Sequence, residues 1–148
     1  MLITKIRRCV FETNSSSSHT ITIVEGDIET YPKNQLLIDK EDNICRIYPG
    51  EFGWEIEDYY GAEMKASYAL TYVKQIGDGG KEELLREVIE EKIGVKVKFI
   101  PSSYEYHPWG YIDHQSNEVC SDAFQSKETL HDFIFNSNSC LHIDNDNH

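Results

Sequence analysis

Phe11-Glu12-Thr13-Asn14-Ser15-Ser16-Ser17-Ser18-His19-Thr20 decides how this chain begins. The string separates two β-prone runs, residues 3–11 and 20–24. The second run alternates Thr20 and Thr22 against Ile21 and Ile23. The pair therefore reads as an antiparallel hairpin, with residues 12–19 as its link. That link holds no apolar side chain and no glycine. A hairpin needs only about two to five connecting residues, with Gly, Asn or Asp usually supplying the turn. So dense a set of hydroxyls, one amide, one carboxylate and one imidazole has two readings. The serines either saturate backbone groups at a broad turn, or they form a small polar site on a rigid strand pair.

Further along, residues 35–39 and 44–48 read as a second hairpin closed by Lys40-Glu41-Asp42-Asn43, and Pro49-Gly50 ends strand structure. Phe52-Gly53-Trp54 and Tyr59-Tyr60 form an aromatic cluster, most simply a lid on the core. The period then changes. Ala62, Ala66, Ala69, Val73 and Ile76 step by fours and threes, and Gly77 supplies a stop, which predicts a helix over 62–76. A second helix is predicted over 81–93, with Leu84, Leu85, Val88, Ile89 and Ile93 inward, a Glu82–Arg86 pair outward, and Gly94 as its cap. Residues 95–99 alternate as a strand, and 104–115 read as an aromatic loop. Ser126 is the expected N-cap of a third helix over 127–135, and 140–143 form a last short strand. The pattern predicts a single α+β domain over residues 1–148. Its small antiparallel sheet comes from N-terminal hairpins plus a later strand and packs on two or three helices.

Composition narrows the function. At 148 residues, 39% hydrophobic and 27% charged, the chain can bury a core. No apolar run reaches the roughly eighteen residues that would cross a bilayer, and the start lacks the blocks of a signal peptide. The expected location is therefore the cytoplasm, with no membrane partner. Cys9, Cys45, Cys120 and Cys140 form no Cys-x-x-Cys pair and are expected to be reduced. The formal charge is −12, from 14 basic and 26 acidic residues. Over residues 99–148 eight acids face a single Lys127. Generic DNA binding through a broad basic face is excluded on this count. An acidic surface serves solubility, attraction to a basic partner, or imitation of a phosphate backbone.

Four polar clusters interrupt the elements: residues 12–19, 113–116, 136–139 and 144–147. Were they to converge, amides and hydroxyls could hold phosphoryl or ribose oxygens without a strong positive field. The expected catalytic set is His19, His114, Asp113 and Ser17, and the expected ligand-binding set is Glu12, Asn14, Ser16, Ser18, Asn136 and Asn138. A serine nucleophile needs a base within about 3 Å and an acceptor to orient that base. Alternatively, His19 and His114 would share acid and base roles on a ribose 2′-hydroxyl. No Gly-x-Ser-x-Gly elbow is present. His107, His114, Cys120, His131, Cys140 and His142 lack the spacing of a zinc site, and residues 144–148 lack the Gly and Glu of a calcium loop. Gly77-Asp78-Gly79-Gly80 lacks the Lys-Ser/Thr of a phosphate loop. The expectation is of no metal and no cofactor.

Two strings carry a resemblance. Arg8-Cys9-Val10-Phe11-Glu12-Thr13-Asn14-Ser15-Ser16-Ser17-Ser18-His19 lies near one end. Phe133-Ile134-Phe135-Asn136-Ser137-Asn138-Ser139, followed by Asp144-Asn145-Asp146-Asn147, lies near the other. In these the chain resembles small proteins of bacteriophages and of prophages of Gram-positive bacteria. The resemblance implies a mobile-element origin and supplies no activity of its own. By analogy with phage accessory proteins of this size, it suggests a counter-defence role of the anti-CRISPR kind. The first expectation is a polar site acting on RNA or a nucleotide, with a bacterial defence effector, its guide RNA or its nucleotide signal as partner. The alternative is a non-enzymatic acidic binder that blocks a nucleic-acid groove by mimicry, carried by Glu105, Asp113, Glu118, Asp122 and the C-terminal aspartates. A structural or regulatory phage protein is the third reading.

Overall fold

The 3.6-residue stripe of Ala62, Ala66, Ala69 and Val73 turns into the core, each of these residues 1% exposed or less. The computed structural model describes residues 5–12, 17–25, 36–53, 57–103, 106–112, 121–136 and 138–145. In it, helix α1 spans Ala62–Ile76, the span its spacing predicts, and Gly77 ends it at φ 70° with its N–H on the Val73 carbonyl. Helix α2, Gly79–Ile93, starts two residues earlier than expected, because the Asp78 side chain accepts from the Lys81 N–H and caps it there. Helix α3, Lys127–Phe135, opens on Ser126 through a capping box with Thr129.

Strands β1 (Lys5–Glu12) and β2 (Ser17–Glu25) pair antiparallel, with Glu12 opposite Ser18 and Lys5 opposite Glu25. The hairpin is therefore tighter than the sequence suggests. Ser17, Ser18 and His19 belong to a strand, and only residues 13–16 separate β1 from β2. The cause is tertiary. Strand β8, Cys140–Asn145, lies along the other side of β2, so the β2 backbone has ladder partners on both edges. With backbone groups paired on both sides, a polar sequence with weak strand propensity is held extended. Strand β5, Glu57–Tyr59, completes an antiparallel sheet of order β1-β2-β8-β5.

The second expected hairpin does not form. The loop 40–43 closes on itself: Asp39 Oδ1 accepts from the Glu41 N–H, Asp42 Oδ1 accepts from the Ile44 N–H, and Asn43 sits at φ 58°. Only one antiparallel bridge, Asp39 to Ile44, remains. Strand β3, Ile44–Ile47, pairs instead in parallel with β6, Lys96–Phe99, after the long crossover that α1 and α2 provide. A parallel pair of two residues per strand joins β4, Glu51–Phe52, to β7, Tyr111–Ile112, inside the region read as loop. Gln75 of α1 satisfies the backbone of Ile112 beside this pair. Its side-chain amide donates to the Ile112 carbonyl and its oxygen accepts from the Ile112 N–H at 2.8 Å, so it acts as a neighbouring strand.

The architecture is α+β, as expected. Its core joins Tyr68, Leu70 and Tyr72 of α1 to Leu85 and Ile89 of α2, Leu130, Phe133 and Ile134 of α3, and Leu141 and Ile143 of β8. Phe52 stacks edge-on against Tyr59 and Tyr68, so part of the expected aromatic lid forms, while Tyr60 is exposed and Trp54 lies outside the described residues. The expected Glu82–Arg86 pair is replaced. Arg86 reaches Glu83 and lies over the Phe99 ring, while Glu82 binds Lys74 at 2.8 Å. His107-Pro108-Trp109 forms the expected turn, closed by the Gly110 N–H on the His107 carbonyl.

Candidate functional site

Side chains on β8 alternate, and that alternation builds the site. Leu141 and Ile143 are 0% and 1% exposed in the core, whereas Cys140 and His142 fall on the opposite, solvated face. Strand β5 meets β8 with Asp58 opposite His142 and Tyr59 opposite Leu141. Directly opposed residues share a face, so the Asp58 carboxylate meets the His142 ring, its Oδ1 in contact with Nδ1. Both side chains keep solvent access, at 39% for His142 and 52% for Asp58. An ionised carboxylate oxygen only accepts, so a hydrogen bond at this contact requires the tautomer with its proton on Nδ1, which leaves Nε2 to exchange one with a ligand.

Cys140 lies beside this pair, with Sγ donating to Asp58 Oδ1 at 3.9 Å. The Tyr60 hydroxyl donates to Cys140, a bond that pushes the phenol pKa above its ordinary value. Burial pushes the Cys140 thiol up as well, the Tyr60 bond and the Lys65 charge opposing this and Asp58 adding to it. A thiol held protonated by burial and facing a carboxylate is a poor nucleophile. Cys45 and Cys140 are both free thiols.

Beneath the cluster is Lys65 of α1, 0% exposed. Its Nζ donates to the backbone carbonyls of Asn136 and Ser139, each at 3.0 Å. Burial lowers its pKa to about 7, with neighbouring Cys140 acting weakly in the other direction. Among the described residues no carboxylate pairs with it.

The residues expected to form the site are placed as follows. Glu12 is the register partner of Ser18, Ser18 also that of Asp144, and Ser17 that of Asn145. The first and fourth polar clusters therefore meet. The register position of His19 lies between those of Phe11 and Ile143, and that of Ser18 between those of Glu12 and Asp144. Asn136 and Asn138 do not join them. They precede Cys140, the partner of Thr22, whereas Ser17 pairs with Asn145 at the far end of β8. Five strand steps separate those two pairs, about 17 Å. There Asn136 is 5% exposed and its Oδ1 accepts from the Asn138 N–H at 2.8 Å, a turn bond. Asn14, Ser16, Asp113 and His114 lie outside the described residues.

Of the candidate metal ligands, His107 stacks on Tyr111 and His131 lies beside Asp132 and Phe135. Among the described residues no group of three His, Cys, Asp or Glu side chains is placed to hold a metal ion. No helix among them is long and apolar enough to cross a membrane.

Sequence reasoning missed Asp58, Tyr60 and Lys65. One signal was present for each end of the cluster. Cys140-Leu141-His142-Ile143 alternates polar and apolar like a sheet with one wet face. Lys65 lies three residues after Ala62 and four before Ala69, on the apolar stripe of α1. Comparison with protein-family models, with curated proteins and with solved structures finds no match.

Proposed function

We propose that the chain is a counter-defence protein of the anti-CRISPR kind that acts on RNA or a nucleotide, with Asp58 and His142 as its proton-transfer pair. One observation carries this reading: the Asp58 carboxylate sits on His142 Nδ1 at the solvated face of β8. An imidazole oriented through one nitrogen works through the other, and Nε2 then has the role of accepting a ribose 2′-hydroxyl proton or protonating a leaving oxygen. A thiol mechanism through Cys140 is disfavoured by the raised pKa of that thiol. The mobile-element context comes from the resemblance of the two end strings. The acid-rich body suits a narrow substrate rather than any nucleic acid, since a broad basic track is missing from the composition.

The acidic-decoy reading is the alternative; of its carriers, Glu105, Asp113, Glu118 and Asp146 lie outside the described residues. The deciding experiment incubates excess full-length protein with guide-length single-stranded RNA and, separately, with a panel of linear and cyclic nucleotides. Shortened RNA or a consumed nucleotide, lost in His142→Asn, is the expected result. RNA and nucleotide pools that stay intact would sink the proposal.

A further inference from the structure

Strand β5 has three residues, too few to hold its own register against β8. Yet the Asp58–His142 pairing depends on that register, since a slip of one residue would turn Asp58 to the other face. Burial of Leu141 and the packing of Tyr59 on Phe52 favour one register, and a contact outside the ladder can hold it more firmly. Two segments deliver the two strands: β5 runs through Tyr60 and Gly61 directly into α1, and the turn 136–139 runs directly into Cys140. Lys65 stands on the first of these and grips the second.

We infer that Lys65 is a positioning residue for the Asp58–His142 pair: from the second turn of α1 it clamps the carbonyls of Asn136 and Ser139 and so sets where β8 begins relative to β5. This rests on the reading of Asp58 and His142 as the working pair. The turn it grips is already satisfied internally. The Ser139 N–H bonds the Asn136 carbonyl at 2.9 Å, Ser139 Oγ donates to the Phe133 carbonyl at 2.8 Å, and Asn136 Oδ1 takes the Asn138 N–H. The turn therefore needs no lysine to form. What Lys65 adds is a link from that turn to α1, through two buried bonds that are charge-assisted when the amine is protonated. A buried ammonium with carbonyl partners alone is costly to keep on a helix stripe otherwise made of alanine and apolar residues. Its neighbours define what the clamp serves. The titratable groups around it among the described residues are Cys140 directly, then Tyr60, Asp58 and His142 through Cys140.

The test uses full-length Lys65→Met, with Asp58→Asn as the reference for a lost pairing. The readout is the nitrogen chemical shifts of the His142 ring, which report the nitrogen that holds the proton, with circular dichroism to confirm folding. Wild type is expected to show the proton held on Nδ1. Lys65→Met should move toward the tautomer average of Asp58→Asn while staying folded, and turnover should fall at least tenfold in kcat with KM unchanged. A folded Lys65→Met with wild-type ring shifts overturns the inference. Should Lys65→Met not fold, Lys65→Gln, which keeps N–H donors on a shorter arm, decides by the same shifts, and wild-type shifts there overturn it equally. If wild type turns over neither RNA nor nucleotide, the proposed function fails by itself, and the ring shifts still decide whether Lys65 positions the pair.

Discussion

Lys65 Nζ lies 3.0 Å from the carbonyl oxygen of Ser139, the residue immediately before the strand that presents Cys140 and His142. A charge on the first long helix is thus tied to the backbone that starts the last strand, across 74 residues of chain.

This burial makes stability depend on pH. The folded-state pKa of Lys65, about 7, is below its ordinary value of 10.5. Between those values the unfolded chain binds more protons than the folded one, so stability rises with pH through the window. Below it both states are protonated and the penalty is fully present. The slope from this group approaches about 1.4 kcal/mol per pH unit, or roughly 2–3 kcal/mol from pH 7 to about pH 9. Urea unfolding at a series of pH values should show that rise, and Lys65→Met should flatten it. A wild-type stability that is level or falls across this range would contradict the assignment.

Asp58 and His142 are both substantially exposed, so their pairing is worth little to the fold, about 0.2–1 kcal/mol at most. Asp58→Asn and His142→Asn should therefore melt within a few degrees of wild type. The same variants should lose the proposed RNA or nucleotide activity. Variants that are stable and fully active would remove these residues from the mechanism.

Gly110 adopts φ 78°, and a Cβ there would stand 2.3 Å from the Gly50 carbonyl oxygen and 3.0 Å from the Thr71 methyl. The close approach is needed because the Tyr111 N–H bonds Gly50 O at 3.0 Å, which starts the β4–β7 pair. Gly110→Ala combines a disfavoured φ with a backbone clash and should cost roughly 2–4 kcal/mol in chemical denaturation. Gly79→Ala, with open space around it, should cost far less.

Gln75 replaces a missing strand at Ile112, which is 0% exposed. Gln75→Leu leaves a buried N–H and carbonyl without partners, at about 1–3 kcal/mol each. Hydrogen exchange should report it locally: the Ile112 amide loses protection while amides of α3 keep theirs. Unchanged protection of Ile112 would mean that water or another group takes over the bond.

The helices were legible because their information is local. Ala62, Ala66, Ala69 and Val73 share a face whatever else the chain does, and Gly77, Gly94 and Ser126 act on backbone groups within four residues of themselves. The strand partners were not legible. Residues 44–48 have the same alternation whether they pair antiparallel with 35–39 or parallel with 96–99, and the choice fell to the turn bonds of Asp39 and Asp42 and to the crossover through α1 and α2. Ser17, Ser18 and His19 read as loop for a related reason. Strand formation there comes from β8, supplied more than a hundred residues later.

By itself the sequence determined the class of the fold, three helices with their Gly77, Gly94 and Ser126 caps, and a formal charge of −12. These follow from spacing, from capping chemistry and from counting, none of which needs a distant partner. Only the tertiary structure decided the site. It joined the polar N-terminal hairpin to Asp144 and Asn145, left Asn136 and Asn138 at the other end of β8, and set Asp58 against His142 above Lys65. Such pairings are long-range contacts between segments whose local preferences are weak, so the energy that selects them comes from register and from the burial of a shared face.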